Sequence, residues 1–109
     1  MLQNEIKISN ESGLEEVKKL EKASTMLKAM AHPMRVAILN LLNNGVKLTV
    51  SEIHTKLGIE QSTTSHHLGI LKDKGVLKSE RSGKNSFYFL KNKNLEHIIE
   101  CLNKCVGCE

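Results

Sequence analysis

Proline occurs once in the 109 residues and glycine only seven times, which excludes a collagen-like or low-complexity chain. No apolar run approaches the roughly 18 residues that a membrane span needs. The opening "MLQNEIKISNE" lacks the apolar stretch of a signal peptide. The sequence therefore reads as a soluble, cytoplasmic protein with no membrane partner. Cysteine is also scarce. The three present, Cys101, Cys105 and Cys108, all fall in the last nine residues. In a cytoplasmic protein such a cluster points to metal binding or redox chemistry rather than to a structural disulfide framework. A chain of this length is one domain with a modest core.

What is present is charge, unevenly spread. Lysine and arginine total 16 against 12 acidic residues, a formal net charge of +4. Residues 1–31 are balanced, and residues 94–109 are net negative. The excess lies in residues 61–93, where Lys72, Lys74, Lys78, Arg81, Lys84, Lys91 and Lys93 face only Asp73 and Glu80. Positive charge localised in this way suggests a polyanionic partner. A merely solvated surface is the alternative that charge alone leaves open.

Hydrophobic periodicity divides the chain into elements. Residues 1–11 are polar and read as a flexible arm preceding one domain over 12–109. Ser12–Glu15 has capping-box spacing, and Leu14, Val17, Leu20, Met26, Leu27 and Met30 recur near helical period. A first helix is expected to about Ala31, where His32–Pro33 interrupts it, because proline suits only the first turn of a new helix. Val36, Ile38, Leu39, Leu41 and Leu42 make the second helix apolar on most faces, and so central. Thr49–Glu52 is another capping box, opening a short helix that Gly58 stops. A tight turn follows, then a helix over about Gln61–Lys74, ended by Gly75. Two alternating runs, "VLKSE" and "SFYFL", flank "RSGKN" as a hairpin with a loop longer than two residues. From about Asn94 the period is helical again. The fold expected is mostly α with a small β-hairpin. A short helix, a turn and a second helix followed by a basic hairpin read as a winged helix-turn-helix.

A wheel at roughly 100° per residue sharpens the reading of the helix at Gln61. Thr64, Leu68 and Leu71 form its inward face. Ser62, His66, Gly69 and Asp73 lie opposite, with Thr63 and Ser65 flanking them. Small polar residues thus crowd the exposed N-terminal turns, where a recognition helix meets base edges. Their short side chains allow close approach to a groove, and Gln61 can pair bidentately with adenine. His66 points outward as a DNA contact. His67 lies beside the core as a partly buried structural residue that also has a phosphate within its reach. Arg81 and Lys84 stand around a glycine turn suited to a minor groove or to phosphates. Lys72, Lys78, Thr49 and Ser51 are further candidates for phosphate contact.

These stretches, "LKAMAHPMRVAILNLL" and "TVSEIHTKLGIEQSTTSHHLGILKDKGVLKSERSGKNSFYFL", resemble the ArsR/SmtB family of bacterial winged-helix repressors over about residues 20–100. The shared features are the His–Pro junction, a Ser-x-x-Ser-x-His-Leu helix, the glycine-terminated turn and the tyrosine of the second wing strand. The resemblance implies a homodimer built from the first and last helices. It also implies binding to double-stranded operator DNA, and release when a metal, metalloid or oxidant is sensed.

The cysteines fit that family only in part. His97, Cys101, Cys105 and Cys108 form a stripe on the last helix, apart from the apolar seam of Leu95, Ile98, Ile99, Leu102 and Val106. In metal-sensing relatives, ligands early in this helix pair across the dimer with ligands late in it. Here the early positions match Asn92 and Asn94, poor ligands, and the late ones match roughly Cys105 and Cys108. The relatives' cysteine pair before the helix-turn-helix is absent from "KLTVSEI". No cofactor is required by this reading. Three thiolates suit a soft effector such as As(III), or Zn(II) with His97 as fourth ligand, and reversible thiol oxidation is the rival. A DNA-binding module with no inducer remains a distinct reading. A thiol oxidoreductase is disfavoured because "CVGC" does not open a helix, where the thiol pKa would be lowered. No enzyme activity is expected.

Overall fold

The computed structural model describes residues 10–107, with side-chain environments over 13–105. Five helices and three short strands follow in order: α1 (Asn10–Met30), α2 (Pro33–Leu41), β1 (Leu48–Thr49), α3 (Val50–Leu57), α4 (Gln61–Asp73), β2 (Leu77–Ser82), β3 (Asn85–Leu90) and α5 (Leu95–Gly107). The expected architecture is therefore present, with three differences.

The first difference is that α1 begins at Asn10. Ser12 lies inside the helix, and α1 includes residues 10 and 11 of the stretch read as an arm. Residues 1–9 lie outside the described residues. The second is the strand β1, which periodicity did not reveal. Its two residues pair antiparallel with β3, Leu48 with Tyr88 and Thr49 with Phe87, giving the sheet order β1–β3–β2. The third is the wing turn. Ser82 pairs with Asn85, so Arg81, Ser82 and Asn85 belong to the strands and the loop is Gly83–Lys84 alone. Gly83 has φ +64°, the left-handed backbone that a two-residue hairpin turn with glycine first requires.

Local chemistry accounts for the helix ends. The His32 ring accepts a hydrogen bond from the Met34 amide and caps α2, with Pro33 in its first turn. Thr49 and Glu52 form the expected reciprocal capping box on α3, and Gly58 ends it with a left-handed backbone. The one core consists of Ala29 and Met30 of α1, Ile38 and Leu39 of α2, Leu42, Ile53, Leu68 and Leu71, Val76 and Leu77, and Leu95 and Ile99 of α5. Ile38 and Leu39 are fully buried, as expected of a central second helix. The Asn40 and Asn103 amides exchange two hydrogen bonds of 3.3 and 2.9 Å and fasten α5 to α2.

Candidate nucleic-acid interface

Helix α4 is held by one face and offered by the other. Thr64, Leu68 and Leu71 are fully buried, the three residues the wheel placed inward. Gln61, Ser62, Thr63, Ser65 and His66 are exposed, and they follow one another through the first two turns around buried Thr64. The Thr64 hydroxyl is satisfied locally by the Glu60 carbonyl at 3.0 Å. It adds no unpaired polar group to the core and points nothing outward. Lys72 is exposed in the last turn of α4, eight residues and about 12 Å of helix rise beyond Thr64. That sets it apart from the polar first turns.

His67 lies beside the core, as its place on the helix wheel led one to expect: it is buried and its Nδ1 accepts a 3.1 Å hydrogen bond from Arg35 Nε. The His32 ring lies 4.8 Å away between centroids and the His66 ring 5.6 Å. Burial pushes the His67 pKa below 6.5, and His32, Arg35 and His66 lower it further by charge. Desolvation and neighbouring cations both disfavour the imidazolium. This residue is therefore neutral near pH 7 and turned in against Arg35.

On the wing, Lys78, Arg81 and Lys84 are all exposed, but they do not act from one surface. Successive residues of a strand alternate between faces, so Lys78 and Glu80 share a face with their cross-strand partners Phe89 and Phe87. Arg81 stands on the opposite face, the one that carries Leu77 and half-buried Tyr88 onto the core. Lys84 occupies the tip. Lys47 stiffens the Phe89 face. Its ammonium lies 4.5 Å from the Phe89 ring centroid and 3.2 Å from Glu80. Both partners of that ion pair are largely exposed, so it is worth at most a fraction of a kcal/mol to about 1 kcal/mol.

Sequence reasoning missed Arg35 and Lys47. Their partners, His67 and Glu80, lie 32 and 33 positions away, and no local period can reveal such pairs. Part of the C-terminal thiol stripe falls among the described residues. His97, Cys101 and Cys105 are exposed at successive turns of α5, and both cysteines are free thiols. Cys108 lies outside the described residues. Among the described residues, no group of three histidine, cysteine or acidic side chains is arranged to hold a metal ion. Asn92 and Asn94, the poor ligands, have a structural task instead. The Asn94 amide donates to the Asn92 side chain at 2.9 Å, shaping the turn that enters α5.

A helix-turn-helix with a basic two-stranded wing and small polar residues on the exposed start of its second helix defines a winged-helix DNA-binding protein. The chain is matched over residues 32–79 by the model of the bacterial regulatory proteins of the arsR family. It is 43% identical over 84 residues to the transcriptional repressor PagR of Bacillus anthracis, covering 77% of this chain and 84% of that protein. Its fold superposes on HlyU from Vibrio cholerae with a TM-score of 0.73 at 33% identity, over 84% of this chain and 98% of that one. A homodimeric winged helix-turn-helix domain from Mycobacterium bovis gives a TM-score of 0.75 at 25% identity, over 84% of each chain. The chain belongs to the ArsR family. It is a DNA-binding transcription regulator, and the family is not an enzyme class. Among the described residues no helix is long and apolar enough to cross a membrane.

Proposed function

We propose that the protein is a homodimeric repressor that binds double-stranded operator DNA in the cytoplasm. Each subunit presents the first two turns of α4 to a major groove and the wing tip to the flanking backbone. The observation that carries this reading is the division of α4 into a fully buried face and an exposed polar start. The helix is fixed to its domain by Thr64, Leu68 and Leu71 while Gln61, Ser62, Thr63, Ser65 and His66 stay free.

One helix-turn-helix reads half a site, so a two-fold dimer matches a palindromic operator. Support for the dimer comes from apolar side chains that this chain leaves uncovered. Leu14, Leu20 and Leu27 on α1 are 55, 54 and 50% exposed, and Leu102 on α5 is 39% exposed. Leu27, Met30, Ala31, Val36, Ile98 and Leu102 line an apolar groove of about 280 Å³ between α1, α2 and α5. Contiguous exposed apolar surface of this kind marks an interaction site.

For the signal, the proposal is that the α5 thiols receive a soft ion such as As(III), or Zn(II), or an oxidant. The exposure of Cys101 and Cys105 supports this, since a thiolate must be accessible to bind or react. The test has two parts. Sedimentation at micromolar concentration should show a dimer and no stable monomer. A duplex enriched from a random library should bind with log K falling linearly in log salt, because several phosphates are neutralised. A stable monomer, or affinity indifferent to sequence, would refute the reading.

A further inference from the structure

Two imidazoles and one guanidinium, those of His32, His67 and Arg35, meet where α1, α2 and α4 come together, with exposed His66 beside them, and the reading of DNA by α4 does not by itself use these three. Arg35, in the first turn of α2, is the centre of the group. Its Nη1 donates to the Ala29 carbonyl at 3.1 Å, in the last turn of α1. Its Nε donates to His67 Nδ1 at 3.1 Å, in the middle of α4. One side chain thus ties the end of the first helix to the recognition helix. The Ala29 carbonyl is one of the four that a helix end leaves without an intrahelical partner, so this bond also satisfies α1.

The second bond has a chemical condition. Arginine has five N–H donors, no acceptor and a pKa too high to lose its proton. The bond to His67 therefore exists only while Nδ1 is unprotonated, with the ring hydrogen on Nε2. A proton on Nδ1 would set a donor against a donor and a cation against a cation. His67 shares its helix turn with His66, the outermost imidazole of the exposed face. Leu68, the next residue, is fully buried. Displacing the His67 ring therefore removes a tether of the turn that presents Ser65 and His66.

We propose that Arg35 is a positioning residue for DNA recognition: by donating to neutral His67 it sets α4 against α1, and protonation of His67 releases that setting. The proposal rests on α4 being the reading helix. The charged and titratable groups around the His67 ring are His32 at the α1–α2 junction, Arg35 on α2 and His66 on α4 itself. None of the three is an acid, so none offsets the added charge. Lys28 of α1 and Lys74 beyond α4 line a cleft with Arg35 and add to the same sign. His67 accordingly holds its proton less readily than a free imidazole, and the release lies on the acid side of neutrality. His66 lies on the exposed face and is kept in every variant of the experiment below, so its own effect on binding is common to all of them.

The experiment uses the full chain and a duplex enriched from a random library at about pH 7.5. Nitrogen NMR of the histidines in the free protein should show His67 as the neutral tautomer with the proton on Nε2, and this arm needs no variant. Binding is then measured at about pH 7.5 and about pH 5 for the parent, for His67→Asn and for Arg35→Lys. Asparagine offers a carbonyl oxygen near the Nδ1 position and does not titrate. Going to the acid condition, the parent should lose about tenfold more affinity than His67→Asn, the scale of a typical coupling between sites. At neutral pH, Arg35→Lys should lose about tenfold on the selected duplex with an unchanged salt slope, whereas loss of a direct phosphate contact would lower that slope by about one. A chain that enriches no duplex overturns both the reading of α4 and this proposal. A proton on His67 Nδ1 at neutral pH, equal acid sensitivity in parent and His67→Asn, parent-like binding by Arg35→Lys, or a reduced slope in that variant overturns this proposal alone.

Discussion

His66 and His67 are chemically identical neighbours with opposite surroundings, and the helix rotation of about 100° between them is the whole cause. His66 is open to solvent on the polar start of α4, while His67 is closed against Arg35. Replacement by alanine should therefore separate two kinds of loss. His66→Ala should leave the fold intact and cost about 1–3 kcal/mol of discrimination between the cognate and a random duplex, read by competition binding. Leu68→Ala, on the buried side, should instead cost about 2–5 kcal/mol of folding stability, read by denaturant unfolding. His67 adds a pH dependence whose sign follows from its lowered pKa. The unfolded imidazole takes its proton near pH 6.5 and the folded one only at lower pH. The unfolded state therefore binds more protons between the two values, and stability rises with pH there. The contribution is complete above about pH 6.5 and is lost as the pH falls through the folded pKa. The melting temperature of the parent should drop on acidification more than that of His67→Asn. Equal drops would place the acid sensitivity elsewhere.

At the scale of elements, the helices were legible in the sequence and the sheet was legible only in half. The inward triad Thr64, Leu68 and Leu71 follows from spacing alone, because a 13-residue helix gives more than three turns of periodic signal. The Thr49–Glu52 box and Gly58 mark α3 for the same reason, as a local chemical requirement met by local residues. Strand β1 has two residues, too few for alternation to show, and it exists only because Tyr88 and Phe87 lie beside it. The wing turn was read too long because Ser82 and Asn85 are polar, although they form the last cross-strand pair. The shorter turn has a consequence. It carries Lys84 to the tip of a rigid two-stranded ribbon instead of a mobile loop. Lys84→Ala should weaken binding to all duplexes alike and lower the salt slope by about one, with no change in sequence preference. A selective loss on the cognate duplex would mean that Lys84 reads bases.

At the scale of the whole molecule, the reading head and the cysteines sit on different elements. The exposed start of α4 belongs to the helix-turn-helix, whereas Cys101 and Cys105 project from α5. Helix α5 packs on α2 through the Asn40–Asn103 amides and on the core through Leu95 and Ile99, and it leaves Leu102 exposed. A ligand bridging Cys101, Cys105 and Cys108 therefore has no direct path to the bases. In the proposed dimer it would act by changing how the two subunits pair, and so the spacing of the two recognition helices. Such an effect is a coupling free energy of about 1–3 kcal/mol, and it is reciprocal, so DNA must weaken ligand binding by the same factor. Replacing all three cysteines with serine should leave the operator affinity of the reduced, metal-free protein at the parent value. The response to As(III), Zn(II) or a mild oxidant should vanish. Fluorescence anisotropy of a labelled duplex, with and without each agent, measures both quantities on the same samples. A parent that responds to none of the agents makes the thiols bystanders, and the regulator then acts without this kind of inducer. A serine variant that no longer binds DNA even when reduced and metal-free makes the end of α5 part of the scaffold, and the separation of head from sensor fails.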